Sequence, residues 1–136
     1  MKKFDQFRSN LRVLETAEKE DLTNEFIISG IIDKFFIQFE LGWKVLKELL
    51  RYEGQFAAAA GSPRTIIKAA FSFYDFMEED VWLSMLNARN DMTHIYDSEA
   101  AGTMVGIILQ EYIPAFRRFE DGIKEFYSGN ILGNEE

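Results

Sequence analysis

The chain has 136 residues, 47% hydrophobic and 15% aromatic, which suits one well-packed domain and argues against both disorder and a need for two domains. A formal charge of −8 works against generalised nucleic-acid binding, which relies on many Lys and Arg contacts to phosphate, but leaves room for a local site that grips one phosphate. Cysteine is absent, which excludes disulfides, thiolate catalysis and cysteine-ligated metals.

Phe4, Phe7, Leu11, Leu14 and Ala17 recur every three or four positions and predict an amphipathic first helix ending near Glu20. Asp21 or Thr23 is suited to cap a second helix from about Asn24 to Arg51. Its apolar surface is broad, running from Ile27 and Ile28 through Phe35, Phe39 and Trp43 to Leu50, wide enough for more than one neighbour. The segment YEGQFAAAAGSPR reads as a loop or short turn. Ser62-Pro63 then signals a third helix, with serine as the cap and proline at the first helical position. That helix carries Ile66, Ile67, Ala70, Phe71 and Tyr74.

Glu78, Glu79 and Asp80 suit the first turn of a fourth helix, where the helix dipole favours negative charge. It buries Val81, Trp82, Met85 and Leu86 and delivers Arg89 and His94. Asp97 or Ser98 starts a last long helix with an apolar face from Ala101 to Phe126, and Pro114 predicts a kink, or an end and restart, inside it. Residues 128–136 read as a frayed tail. With no competing strand pattern, repeat or linker, residues 1–136 form one domain, an all-α, up-and-down bundle of four to five helices. No apolar run reaches membrane-spanning length and no apolar h-region follows MKKFDQFRSN, so a cytoplasmic protein without membrane contact is expected.

The chemistry concentrates in RNDMTHIY, from Arg89 to Tyr96, which holds the only histidine. On a continuing helix Asn90 and His94 share one face, as do Arg89 and Tyr96, whereas Arg89 and His94 diverge by roughly 140°. Asn90, or Asp97 if the helix runs on, is placed to hydrogen-bond the imidazole and set its tautomer. Each residue also has a plainer reading: a satisfied structural histidine, an arginine salt-bridged to one of many acids, a tyrosine packed with its hydroxyl at the rim. Lys44, Lys47 and Arg51 form a second candidate, a positive stripe for phosphate or nucleotide contacts. The alternative is a solvated face with Glu40 and Lys44 as an i,i+4 pair. Trp43 beside it is a base-stacking candidate whose helical phase fits core packing better. A single histidine, and no phosphate-binding loop or nucleophile elbow, leave no metal or cofactor to expect.

Four blocks in order, FELGWK at Phe39–Lys44, SPR at Ser62–Arg64, Trp82, and RNDMTHIYD at Arg89–Asp97, extend over most of the chain. On these the chain resembles the HEPN-fold helical proteins that pair with a minimal nucleotidyltransferase, in the subgroup known as nucleotidyltransferase substrate-binding proteins. The resemblance implies a homodimer with the Arg and His motifs near its interface. It also implies a small nucleotidyltransferase partner and, in many relatives, a metal-independent endoribonuclease that acts as the toxin of a toxin–antitoxin pair. By the same resemblance Arg89 and His94 are the catalytic pair and Tyr96 the candidate adenylylation site. His94 would serve as general base on a ribose 2′-hydroxyl or as acid to the 5′-oxygen, while Arg89 holds the scissile phosphate of RNA or tRNA and Asn90 orients His94 or a phosphate oxygen. The alternative is a non-catalytic subunit that uses the same residues to present a nucleotide or other substrate to the partner enzyme.

Overall fold

The computed structural model describes residues 1–59, 61–92 and 97–128, and all regular structure among them is helical. Helix α1 spans Lys2–Leu14 and buries Phe4, Phe7, Leu11 and Leu14; a 3₁₀ segment, Glu15–Lys19, extends it to the predicted end. Helix α2 spans Glu25–Tyr52, and its cap differs from expectation. Asn24 Oδ1 accepts from the amides of Phe26 (2.8 Å) and Ile27 (3.3 Å). Asp21 instead closes a turn of its own, accepting from the backbone amide (3.0 Å) and hydroxyl (2.6 Å) of Thr23, which hold its carboxyl below the ordinary value. Three cap-competent residues lie within four positions, and the one nearest the first helical amides takes the role.

Helix α2 stops at Gly54, whose φ of +74° suits only glycine without strain. There Gln55 N–H donates to Leu50 O (2.8 Å) and Gly54 N–H to Arg51 O (3.0 Å), the double closure of a Schellman motif. The expected loop contains a short 3₁₀ turn, Phe56–Ala59. Helix α3, Pro63–Phe73, starts as predicted, with Ser62 Oγ accepting from Thr65 N–H (3.4 Å) and Pro63 in the first position. Of the apolar residues this helix carries, Ile66, Ile67 and Ala70 are buried and Phe71 is nearly half exposed.

Helix α4 spans Glu79–Asn90, with Glu79 and Asp80 in its first turn. Helix α5, Ser98–Ile107, is capped by Asp97, whose Oδ1 accepts from Glu99 N–H (3.0 Å). A π turn, Ile108–Tyr112, joins α5 to helix α6, Ile113–Phe126. The departure expected at Pro114 is therefore a widened turn inside a continuing rod. Proline has no N–H for the carbonyl of Gln110, four residues before it, and its ring crowds that oxygen; widening the turn relieves the crowding without ending the helix.

Helix α2 is central, packing against α1, α3, α4 and α5, as its broad apolar surface requires. The core is an aromatic cluster in which Phe7 meets Phe119 with ring centroids 4.8 Å apart, Trp82 meets Phe119 at 5.0 Å and Phe116 at 5.6 Å, and Phe39 meets Trp82 at 6.1 Å. These rings tie α1, α2, α4 and α6 together. Two buried polar ties supplement them. Gln38, fully buried, donates to Phe7 O (2.9 Å) and accepts from Asn10 Nδ2 (2.6 Å), joining α2 to α1. Glu120 on α6, 5% exposed, accepts from Arg8 Nε (3.3 Å) and from Arg12 on α1. At the end of α6, the buried Tyr127 hydroxyl contacts that of Tyr74 and donates to Glu53 Oε2 (2.9 Å). Burial pushes the Tyr74 phenol up to about 12 and raises that of Tyr127 as well.

Candidate functional site

The FELGWK block lies on α2 where it meets α4. Phe39 is buried against Trp82, and Gly42 leaves room for the indole: a Cβ there would stand 2.7 Å from Trp82 Cη2. Arg89 follows Trp82 by seven residues, two helical turns, so it emerges on the same face of α4 and reaches back to α2.

What it reaches is Glu40. Arg89 Nε lies 2.9 Å from Glu40 Oε2, and Nη2 donates to Oε1 at 3.4 Å. The Oε2 contact compensates charge without an aligned hydrogen bond, and that oxygen is sealed from solvent. Trp43 Nε1 donates to Glu40 Oε1 (3.1 Å), bracing the carboxylate from its own helix. Arg89 Nη1 donates to Asn90 Oδ1 (3.2 Å). Among the described residues, Glu40 and Asn90 thus accept hydrogen bonds from two of the five guanidinium N–H groups, and the Nε side is paired with Glu40 by charge alone. The Arg89 side chain is 34% exposed.

The structure therefore gives both readings of Arg89 a share. It is salt-bridged, as the plainer reading has it, yet it keeps donors free of Glu40 and Asn90. Asn90 directs its carbonyl oxygen at Arg89. Helix α4 ends at Asn90, with Asp91 as its C-cap, so helical spacing does not carry the face-sharing of Asn90 with His94, or of Arg89 with Tyr96, past that point. His94 and Tyr96 lie outside the described residues. Asp97 caps α5 and gives a carboxylate oxygen to the Glu99 amide.

Lys44, Lys47 and Arg51 follow Glu40 at four, seven and eleven residues, within a narrow strip of the α2 surface. The strip leads away from the Arg89–Glu40 contact for about 16 Å at 1.5 Å per residue. Lys44 and Arg51 are exposed and Lys47 is half-buried. The Lys44 ammonium stands 6.0 Å from the Trp43 ring centroid. Glu40, read from spacing as the partner of Lys44, instead has its two oxygens engaged by Arg89 and Trp43. Trp43 is half-buried, between the core and base-stacking alternatives. Sequence reasoning missed Glu40 as a site residue because its partner is 49 positions away. The only signal was its place in the FELGWK block.

Among the described residues, no three His, Cys, Asp or Glu side chains converge on a common point, and no helix is long and apolar enough to cross a membrane. The search of curated proteins finds no match. The family model described as "nucleotidyltransferase substrate binding protein like" matches residues 2–125, the stretch that contains all four blocks and the Arg89–Glu40 contact, and the chain belongs to that family.

Proposed function

We propose that this protein is the helical subunit that works with a small nucleotidyltransferase, and that it holds a phosphate-bearing substrate, RNA or a nucleotide, at Arg89. The observation that carries this reading is the placement of Arg89. Its guanidinium is anchored at the head of the Lys44–Lys47–Arg51 strip on a side chain that is one third exposed, in a chain of the substrate-binding family. A planar guanidinium suits two phosphate oxygens, and a row of cations leading from it suits a polyanion.

The intact spacing from Arg89 to His94 and Tyr96 favours a second, catalytic reading of the same site: a metal-independent endoribonuclease, the toxin of a HEPN-type toxin–antitoxin pair. His94 takes the proton of a ribose 2′-hydroxyl, that oxygen attacks the adjacent phosphorus to form a 2′,3′-cyclic phosphate, and the bond to the 5′-oxygen breaks as that oxygen takes a proton from water. Arg89 balances the charge that develops on the phosphoryl oxygens. DNA, which lacks the 2′-hydroxyl, is not cleaved by this route. Adenylylation of Tyr96, seven residues after Arg89 in the sequence, by the partner enzyme adds a bulky anion to the motif and silences it.

A homodimer belongs to this proposal. It is supported by Phe26 on α2, which is 89% exposed, and by the open space at Gly30 on α2 and at Gly102 and Gly106 on α5, where a Cβ would meet nothing within 4 Å. The test is incubation of unmodified protein with total RNA and tRNA in EDTA, beside Arg89→Ala and His94→Ala. Cleavage by the wild type and by neither variant establishes the ribonuclease. RNA left intact by a folded protein that still binds nucleotide and the nucleotidyltransferase restricts the function to substrate binding. Failure to bind either ligand overturns both readings.

A further inference from the structure

Building on the reading of Arg89 as a phosphate ligand, we infer that Glu40 is its positioning residue. The Glu40 carboxylate, braced by Trp43, fixes the guanidinium on α4 so that its remaining N–H groups face outward toward a phosphate. Three observations carry this. Glu40 meets the Nε/Nη2 side of the guanidinium, at 2.9 Å and 3.4 Å, while Asn90 takes one Nη1 donor at 3.2 Å; among the described residues the fork is held at these two places, and the side chain remains 34% exposed. The carboxylate is itself held, by the Trp43 indole N–H at 3.1 Å, and one of its oxygens is sealed from water. Beneath the pair, Gly42 and Trp82 fix how closely α4 lies on α2, so Glu40 and Arg89 sit on two elements whose separation is set by the core.

An arginine side chain carries substantial rotamer entropy, and an orienting carboxylate removes it before the ligand arrives. The arrangement has an electrostatic cost, because Glu40 places a negative charge beside an anion site. That cost makes the sign of the test informative. If Glu40 were only a competitor for Arg89, removing it would make the site one unit more positive and tighten anion binding. If it positions Arg89, removing it weakens binding despite the gain in charge.

The experiment uses the full chain and two probes. One is a labelled 2′-O-methyl oligoribonucleotide, which has phosphodiesters but no 2′-hydroxyl to support cleavage; the other is adenosine 5′-monophosphate. Affinity is measured for wild type, Arg89→Ala, Glu40→Ala and Trp43→Phe, and the fast-timescale rigidity of Arg89 Nε is read by ¹⁵N relaxation. The expected result is about a 10- to 100-fold loss of affinity in Glu40→Ala, the scale set by small misplacements of a binding group. A smaller loss is expected in Trp43→Phe, whose net charge is unchanged, and Arg89 Nε becomes mobile in both variants. Unchanged or tighter binding by Glu40→Ala, or an equally rigid Arg89 Nε, overturns the assignment of Glu40. If Glu40→Ala does not fold, Trp43→Phe decides on the same two readouts. Equal affinity of wild type and Arg89→Ala overturns the phosphate reading itself, a different failure, because it shows no dependence on the guanidinium at all. A preference for the oligonucleotide over the mononucleotide identifies a polymer as the ligand.

Discussion

Replacing glycine by alanine at two positions of the same helix is expected to change stability in opposite directions. In an exposed helix interior the exchange stabilises by about 1 kcal/mol, because glycine has more backbone freedom to lose. Gly30 on α2 meets that description: a Cβ there has nothing within 4 Å. At Gly42 the same Cβ stands 2.7 Å from Trp82 Cη2, 3.0 Å from Cζ3 and 3.3 Å from Phe7 Cε2. Normal carbon contacts begin near 3.5 Å, so the indole must retreat by roughly 1 Å. It has little room to do so, being 1% exposed and packed by Phe39, Phe116 and Phe119. Overpacking of this kind costs about 1–3 kcal/mol, which cancels or exceeds the backbone gain. Gly42→Ala is therefore neutral to about 2 kcal/mol destabilising, and its difference from Gly30→Ala, in which the backbone contribution cancels, reports the strain alone. Urea unfolding followed by far-ultraviolet circular dichroism measures both, at two protein concentrations so that any dimer contribution from Gly30 is visible. Equal stabilisation by the two substitutions would refute the close-approach argument, and with it the account of how α4 is seated beneath Arg89.

The buried tyrosines give a pH prediction. A phenol whose pKa is raised on folding stays neutral in the folded chain and ionises on unfolding, so its contribution is fully present below about pH 10 and is lost above it. With Tyr74 pushed up to about 12, stability falls as pH rises from about 10 toward 12. Thermal melts across that window should show a steeper decline in wild type than in a Tyr74→Phe, Tyr127→Phe double variant, and parallel curves would contradict the burial of this pair. Asn24→Ala should cost about 1 kcal/mol by removing the α2 cap, whereas Asp21→Ala, whose carboxylate serves only its own turn, should cost less; the reverse order in denaturant melts would contradict the cap assignment. Glu120→Gln should lose about 1–2 kcal/mol at low salt and less at high salt, since both arginine partners are partly exposed; a loss that ignores ionic strength would mean packing and not charge is what Glu120 contributes.

What the sequence disclosed was local. Ser62-Pro63 announces α3 because both residues act within one turn of themselves, and the acidic start of α4 is legible for the same reason. Arg89 is conspicuous as a residue type in a short motif. Its partner is not, because the nearest plausible ion pair for Glu40 along the helix is Lys44, and only packing of α4 on α2 replaces it with Arg89. The Arg8–Arg12–Glu120 network is hidden in the same way, Glu120 lying more than a hundred residues from both arginines. Asp97 shows the converse limit: a cap and an imidazole partner are both plausible for an aspartate there, and the hydrogen bond to Glu99 N–H places it at the cap.

The contact between α1 and α2 also bears on how reliably the bundle assembles. Greasy surfaces such as Phe4, Phe7, Leu11 and Leu14 adhere almost as well after a slip of one helical turn, about 5.4 Å, because one apolar side chain replaces another. The amide of Gln38 does not tolerate that slip. Its N–H finds Phe7 O and its carbonyl finds Asn10 at one axial setting only, and Asn10 in turn donates to Lys34 O at 3.0 Å. Any other setting strands a polar amide in a dry seam, a penalty large enough to remove that alternative from the folded population. Gln38 therefore acts as an index mark for the bundle: it adds little to the attraction between the two helices and selects which of several similar alignments they adopt.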